Sequence, residues 1–193
     1  QHSRRYMNVV WRALAGALCV LAAAASTGAQ ERYREDAVKA AFLYRFTGYV
    51  EWPEAALSKS DFTIAVLGSG EITRELERLL PGRTIKDLPA RVRRIERVRE
   101  LGDAQMLYVA ASRLSDIRAI VSEVGTKPVL VVTDHPRGLD AGGAVNFISL
   151  DRRVRFEISV PAAMRAQLKV GGELLSVAAR VRGAPERADS SCA

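Results

Sequence analysis

Two histidines and two cysteines in 193 residues leave little material for metal or thiol chemistry. They stand far apart, at His2 and His135 and at Cys19 and Cys192, so neither the multi-histidine nor the paired-cysteine spacing of a zinc site is present. There is no G-x-S-x-G elbow and no phosphate-loop lysine. Asp134 and His135 are neighbours, but no serine completes a triad with them, and no spacing singles out a pair of carboxylates. The sequence therefore offers no catalytic set, no metal site and no cofactor signature, and the expectation is a protein that is not an enzyme.

Long apolar runs are also missing. The longest, Ala13 to Ala25, falls short of the roughly 20 residues that span a bilayer. It follows Arg12 and leads to Thr27-Gly28-Ala29, which together have the form of a secretory signal with Met7 as a start and a cut before Gln30. A cut after Ala25 and a retained anchor stay open as alternatives, whereas Gly16-Ala17-Leu18 ahead of Cys19 lacks the pattern of a lipoprotein. Removal of residues 1–29 leaves 26 basic residues (29 less Arg4, Arg5 and Arg12) against 22 acidic ones, a net charge of +4. So mild a balance argues against nucleic acid as a partner. Cys192 alone would survive cleavage, as a free thiol or in an intermolecular bridge. The remainder is long enough for one domain with its own core, expected over residues 30–182, and the polar residues 183–193 read as a disordered tail.

Aromatic residues make up only 6% of the chain, yet five of the ten beyond residue 29 fall within 38–53. Phe42, Phe46, Tyr49 and Val50 share one stripe of a helix, with Lys39 and Arg45 pointing elsewhere and Pro53 ending it near Glu51. This stripe is expected to be core. Asp61 to Gly68 reads as a buried strand, Gly68-Ser69-Gly70 as a turn, and Glu71 to Leu80 as a helix with Ile72, Leu76, Leu79 and Leu80 inward. A glycine turn ahead of a helix is also where a phosphate could sit, which makes Ser69 and Gly70, with Arg83, candidate ligand contacts; Thr73 replaces the third glycine of a dinucleotide fingerprint.

Gly82 to Ile85 and Arg91 to Ile95 suggest short strands, and arginines at 91, 93, 94, 97 and 99 suit a guarded sheet edge or an acidic partner. Gln105 to Ala110 and Pro128 to Thr133 are continuous apolar strands, with a helix from Arg113 to Val124 capped by Ser112 between them. The alternation predicts an α/β layer with a mainly parallel sheet. Ala144 to Ser149 and Val154 to Ser159 then alternate across a polar turn and predict an antiparallel hairpin, with Val154, Phe156 and Ile158 on one face and Arg155 and Glu157 on the other. Pro161 opens a helical segment, and Glu173 to Val181 continues as helix.

AAFLYRFTGYVEWP, GRTIKDLPARVRRI, QMLYVA, VLVVTD, GGAVNFI, VRFEISV and LKVGGELLSVAARV, in this order over residues 36–182, resemble the YfiR/HmsC family of periplasmic regulators. Two departures stand out: Ala104 where many members carry a cysteine, and Gly171-Gly172 where a pair of serines is usual. The resemblance implies a Rossmann-like or receiver-like three-layer α/β sandwich, with the hairpin added to its sheet. It also implies a protein, often a homodimer, that holds the periplasmic part of an inner-membrane diguanylate cyclase inactive and touches the membrane only through that partner. A small-molecule-binding sensor subunit for a histidine kinase or outer-membrane receptor is the alternative. Matching positions and strand alternation together place the partner contact at Phe147, Arg155 and Glu157, with Glu157→Lys expected to abolish control without unfolding the domain.

Overall fold

The computed structural model describes residues 35–183, so the expected signal peptide, 1–29, and all but the first residue of the expected disordered tail, 183–193, lie outside the described residues. Residues 37–183 fall within one compact unit. The first helix, α1, covers 35–49. It is followed by β1 (Val50–Glu51), α2 (Glu54–Leu57), β2 (Phe62–Leu67), α3 (Gly70–Leu79), β3 (Thr84–Ile85) and β4 (Leu88–Ile95). Next come β5 (Met106–Val109), α4 (Ile117–Val124), β6 (Leu130–Thr133), β7 (Val145–Leu150) and β8 (Arg153–Ser159). The last elements are α5 (Val160–Arg165), β9 (Lys169–Val170), α6 (Gly172–Val177) and β10 (Arg180–Arg182).

Eight strands form one sheet in the order β10-β8-β7-β6-β5-β2-β4-β3. Only β7 with β8 and β3 with β4 run antiparallel; the other neighbours are parallel. The apolar runs read as strands are buried on both faces. Ile64, Val66, Met106, Tyr108, Leu130 and Val132 face a core shared with Leu43 and Phe46 of α1 and Ile72 and Leu76 of α3. Ala65, Leu67, Leu107, Val109 and Val131 face a second core closed by Ile117, Ile120 and Val124 of α4. Helices thus cover both sides of a mainly parallel sheet, the three-layer arrangement expected.

The aromatic stripe of α1 is core, in part. Phe46 is fully buried, 4.9 Å from Phe156 in an edge-on contact and 5.8 Å from Phe147. Phe42 is half-buried, and Tyr49 is 42% exposed because α1 ends at residue 49 instead of reaching Glu51. Val50 and Glu51 pair with Val170 and Lys169 of β9, so tertiary pairing takes the last turn from the helix. Trp52 then turns inward, its indole N–H donating to the Gln105 carbonyl at 3.0 Å and its ring edge-on to Phe62.

Three further boundaries differ from the sequence reading. Lys86 and Asp87 adopt φ of 51° and 65°, which gives β3 and β4 a two-residue hairpin turn. Helix α4 begins at Ile117, because Ser112 does not cap it: the Ser112 hydroxyl donates to the Gly68 carbonyl at 2.9 Å. The helix read from Glu173 to Val181 stops at Val177, and Arg180–Arg182 joins the sheet edge beside β8.

Removing a fully buried ring leaves a cavity, so Phe46→Ala should lower unfolding free energy by about 3–5 kcal/mol. Tyr49→Ala should change it by only about 0.5 kcal/mol, both read from urea denaturation.

Candidate partner-binding face

Strand register sets a row of four polar residues across the end of the sheet. Thr133 pairs with Asn146, Asn146 with Glu157 and Glu157 with Arg180. Opposed residues project to the same face of a sheet, and these side chains bond in sequence. The Thr133 hydroxyl donates to Asn146 Oδ1 at 2.6 Å, and the Asn146 amide donates to Glu157 Oε1 at 3.0 Å. Arg180 Nη2 closes the row at 2.8 Å from Glu157 Oε2. The loop from 134 to 143 seals the Thr133 end. His135 N–H donates to Asn146 Oδ1, and Gly138 sits so close that a Cβ there would overlap Thr133 Oγ1 and Asn146 Oδ1. Glycine is dictated here by approach, not by dihedral angle.

The same loop is tied to α1. Lys39, expected to point away from the core, is buried, and its ammonium lies 2.7 Å from Asp134 Oδ2. The Tyr108 hydroxyl donates to that oxygen at 3.1 Å. A buried lysine is tolerable only with such a partner, and the aliphatic stem allows it to line an apolar stripe.

These contacts reassign the residues picked from sequence. Phe147 and Glu157 are not solvent-facing: Phe147 pairs with Phe156 in the first core, and Glu157 is 4% exposed within the polar row. Alternation identified two faces of β8 but could not show that Asn146 and the Arg180 side chain close over the Glu157 end of the second. Arg155 is exposed as expected. The structure does not bring Ser69 and Gly70 together with Arg83, because α3 lies between them, about 15 Å along its axis. Ser69 caps that helix by accepting from the Ile72 N–H. Arg83 donates to the Leu79 carbonyl at 2.7 Å and lies 5.0 Å from the centre of the Tyr44 ring.

What emerges is an arginine-bearing face at the β8–β10 edge. By strand alternation Arg153 and Arg155 project to the side of Glu157, and Arg180 and Arg182 join them there. Arg180 leans on Glu157 and Arg182 on Asp140, at 2.8 and 2.7 Å. Hydrogen bonding from Arg182, then its charge, holds the Asp140 carboxyl below the usual carboxylate range, with Arg118 and Arg137 adding to the effect. Arg153 and Arg155 have no acidic partner among the described residues. Such a face suits an acidic surface. Sequence reasoning missed Lys39, Asp134, Asn146 and Arg180; a lone asparagine inside the apolar run from Ala144 to Ile148 was the available signal for the row.

Two outcomes check this geometry. Glu157→Lys should strand the Asn146 amide and bury a second cation beside Arg180, costing about 1–3 kcal/mol or more in urea denaturation, while Arg155→Glu should stay within about 0.5 kcal/mol. Arg182→Gln should move the Asp140 titration upward toward the ordinary range, as followed by carboxyl carbon NMR.

Among curated proteins none matches this chain. Among solved structures, the crystal structure of an ABC domain in complex with L-Trp from Streptococcus pneumonia is similar at 12% identity and a TM-score of 0.46, over 62% of this chain. The match spans 55% of that structure's chain. Residues 36–179 match the YfiR/HmsC-like family, whose members are periplasmic regulators of diguanylate cyclase signalling. With that match covering most of its length, from the start of α1 to the approach of β10, the chain belongs to the YfiR/HmsC-like family.

Proposed function

We propose that this chain is exported by its segment 1–29 and binds the periplasmic sensor domain of an inner-membrane diguanylate cyclase, holding the enzyme inactive and lowering cyclic di-GMP and biofilm formation. Family membership over residues 36–179 is the observation that carries this reading. For repression the regulator binds the inactive cyclase state more tightly than the active one, since equal affinity for both would shift nothing. Arg155, with Arg153 and Arg180, supplies the direct contact to an acidic patch on the cyclase. Glu157 and Phe147 act from beneath, Glu157 by fixing Arg180 and Phe147 by seating the hairpin on α1. Engagement of the membrane through the partner is part of this reading; among the described residues no helix is long and apolar enough to cross a membrane.

Deleting the gene should raise cellular cyclic di-GMP. The full chain should restore the low level, and a chain without residues 7–29 should not. Arg153→Glu with Arg155→Glu should leave the protein folded and exported but fail to complement. Unchanged cyclic di-GMP on deletion, in cells with an active membrane cyclase bearing a periplasmic domain, would sink the proposal. Full complementation by the arginine variant would remove the contact assignment and leave the rest standing.

A further inference from the structure

At the end of the sheet where β5 and β6 begin, a cavity of about 380 Å³ opens between α2, the segment entering β5 and the segment entering β6. Its size lies in the range of small-molecule sites, about 300–1,000 Å³. The walls are apolar and short-chained, formed by Pro53, Ala55, Ala56, Ala104, Pro128 and Val129. These side chains lose little entropy on contact with a ligand.

Gln105 stands at the base and fixes the shape. Its Oε1 accepts from Thr63 N–H at 2.7 Å, its amide donates to the Ala56 carbonyl at 2.9 Å, and its own carbonyl takes the Trp52 indole N–H. The glutamine therefore clamps α2 against β2 and β5, and its oxygen and amide are already engaged. Polar recognition falls to the rim, where Lys59 and Lys127 are exposed and have no acidic partner among the described residues. Asp103, the one carboxylate of the lining, lies 4.0 Å from Arg93. Apolar walls under two unpaired ammonium groups are complementary to a molecule with an acid group at one end and a hydrocarbon body at the other. A cation would meet two ammonium groups with only Asp103, itself beside Arg93, to hold it, and a neutral molecule would find Gln167, whose amide already donates to the Thr126 carbonyl; with a single carboxylate the lining has no set of donors for a metal.

We propose that this cleft is a binding site for a small amphipathic anion, its acid group held at Lys59 and Lys127 and its apolar body lying on the proline and alanine walls. The site is separate from the arginine face and does not depend on which partner that face engages.

Hexanoate, hexanamide and acetate, titrated into the isotope-labelled purified protein, separate the two halves of the recognition. Hexanoate should produce saturable amide shifts at Ala55, Asp103, Ala104 and Lys127, with hexanamide and acetate each at least about tenfold weaker. Lys59→Gln with Lys127→Gln should weaken hexanoate by a similar factor, and Ala55→Trp at the rim should block it while the rest of the spectrum stays unchanged. Equal shifts from hexanoate and hexanamide, shifts confined to the arginine face, or none at millimolar ligand would overturn the site.

Discussion

A carboxylate buried inside a sheet constrains everything next to it. Glu157 is 4% exposed, and in so dry a place an ionised group survives only with donors on its oxygens. One donor is Asn146 of β7, the other Arg180 of β10, and they come from opposite sides of β8. The first locks the register of the hairpin, since a slip of one residue would carry Asn146 to the other face. The second recruits the C-terminal segment to the edge of β8. The arginine face thus exists because the acid beneath it must be satisfied, and its surface charges are held from below by a buried anion.

Which parts of the fold were legible in the sequence follows from whether their constraints are local. Phe62 to Leu67, Met106 to Val109 and Leu130 to Thr133 were readable because continuous apolar runs mark strands covered on both faces. Strand β10 was not, since Leu174, Leu175, Val177 and Ala178 suit a helix and nothing local tells Arg180 to stop. It pairs because the edge of β8 is open and Glu157 waits there, facts that exist only in three dimensions. Lys39 was misplaced for the same reason. Periodicity assigns a charged residue to the solvent side, and Asp134, which makes its burial tolerable, is 95 residues away. Phe147 shows the limit of alternation, which sorts one strand into two faces but does not align two strands. The register against Phe156 had to be seen.

Strand order has a consequence of its own. Taking β2, β4, β5, β6 and β7 as first to fifth, the sheet runs 2-1-3-4-5, an order in which ligands favour the crevice at the carboxyl ends of the first and third strands. In this chain the side chains of Ser112 and Arg113 lie against the turn at that crevice. The Ser112 hydroxyl bonds the Gly68 carbonyl, and a Cβ on Gly68 would lie 2.6 Å from the Arg113 side chain. Ser69, the residue that invited a phosphate reading, is used to start α3. The strand order is therefore one that ligand-binding proteins share, while the groups at the usual ligand position are engaged with one another, and the exposed arginines stand instead at the sheet edge.

The same closeness of packing bears on how a repressor of this form would work. Lys39 bonds Asp134, and from the next residue, His135, polar contacts run through Asn146 and Glu157 to Arg180, so the series links α1 to β10. Gly138 lies so close over the Thr133–Asn146 end of the row that even a Cβ would overlap them. A switch within the regulator would require two packings of comparable energy, and the close cover over Thr133 and Asn146 works against a second one there. The physics favours a preorganised face that loses little entropy when it docks. Control of a partner would then come from a difference in fit between the partner's own two states, with the bistable element on the partner and the rigid template on this chain.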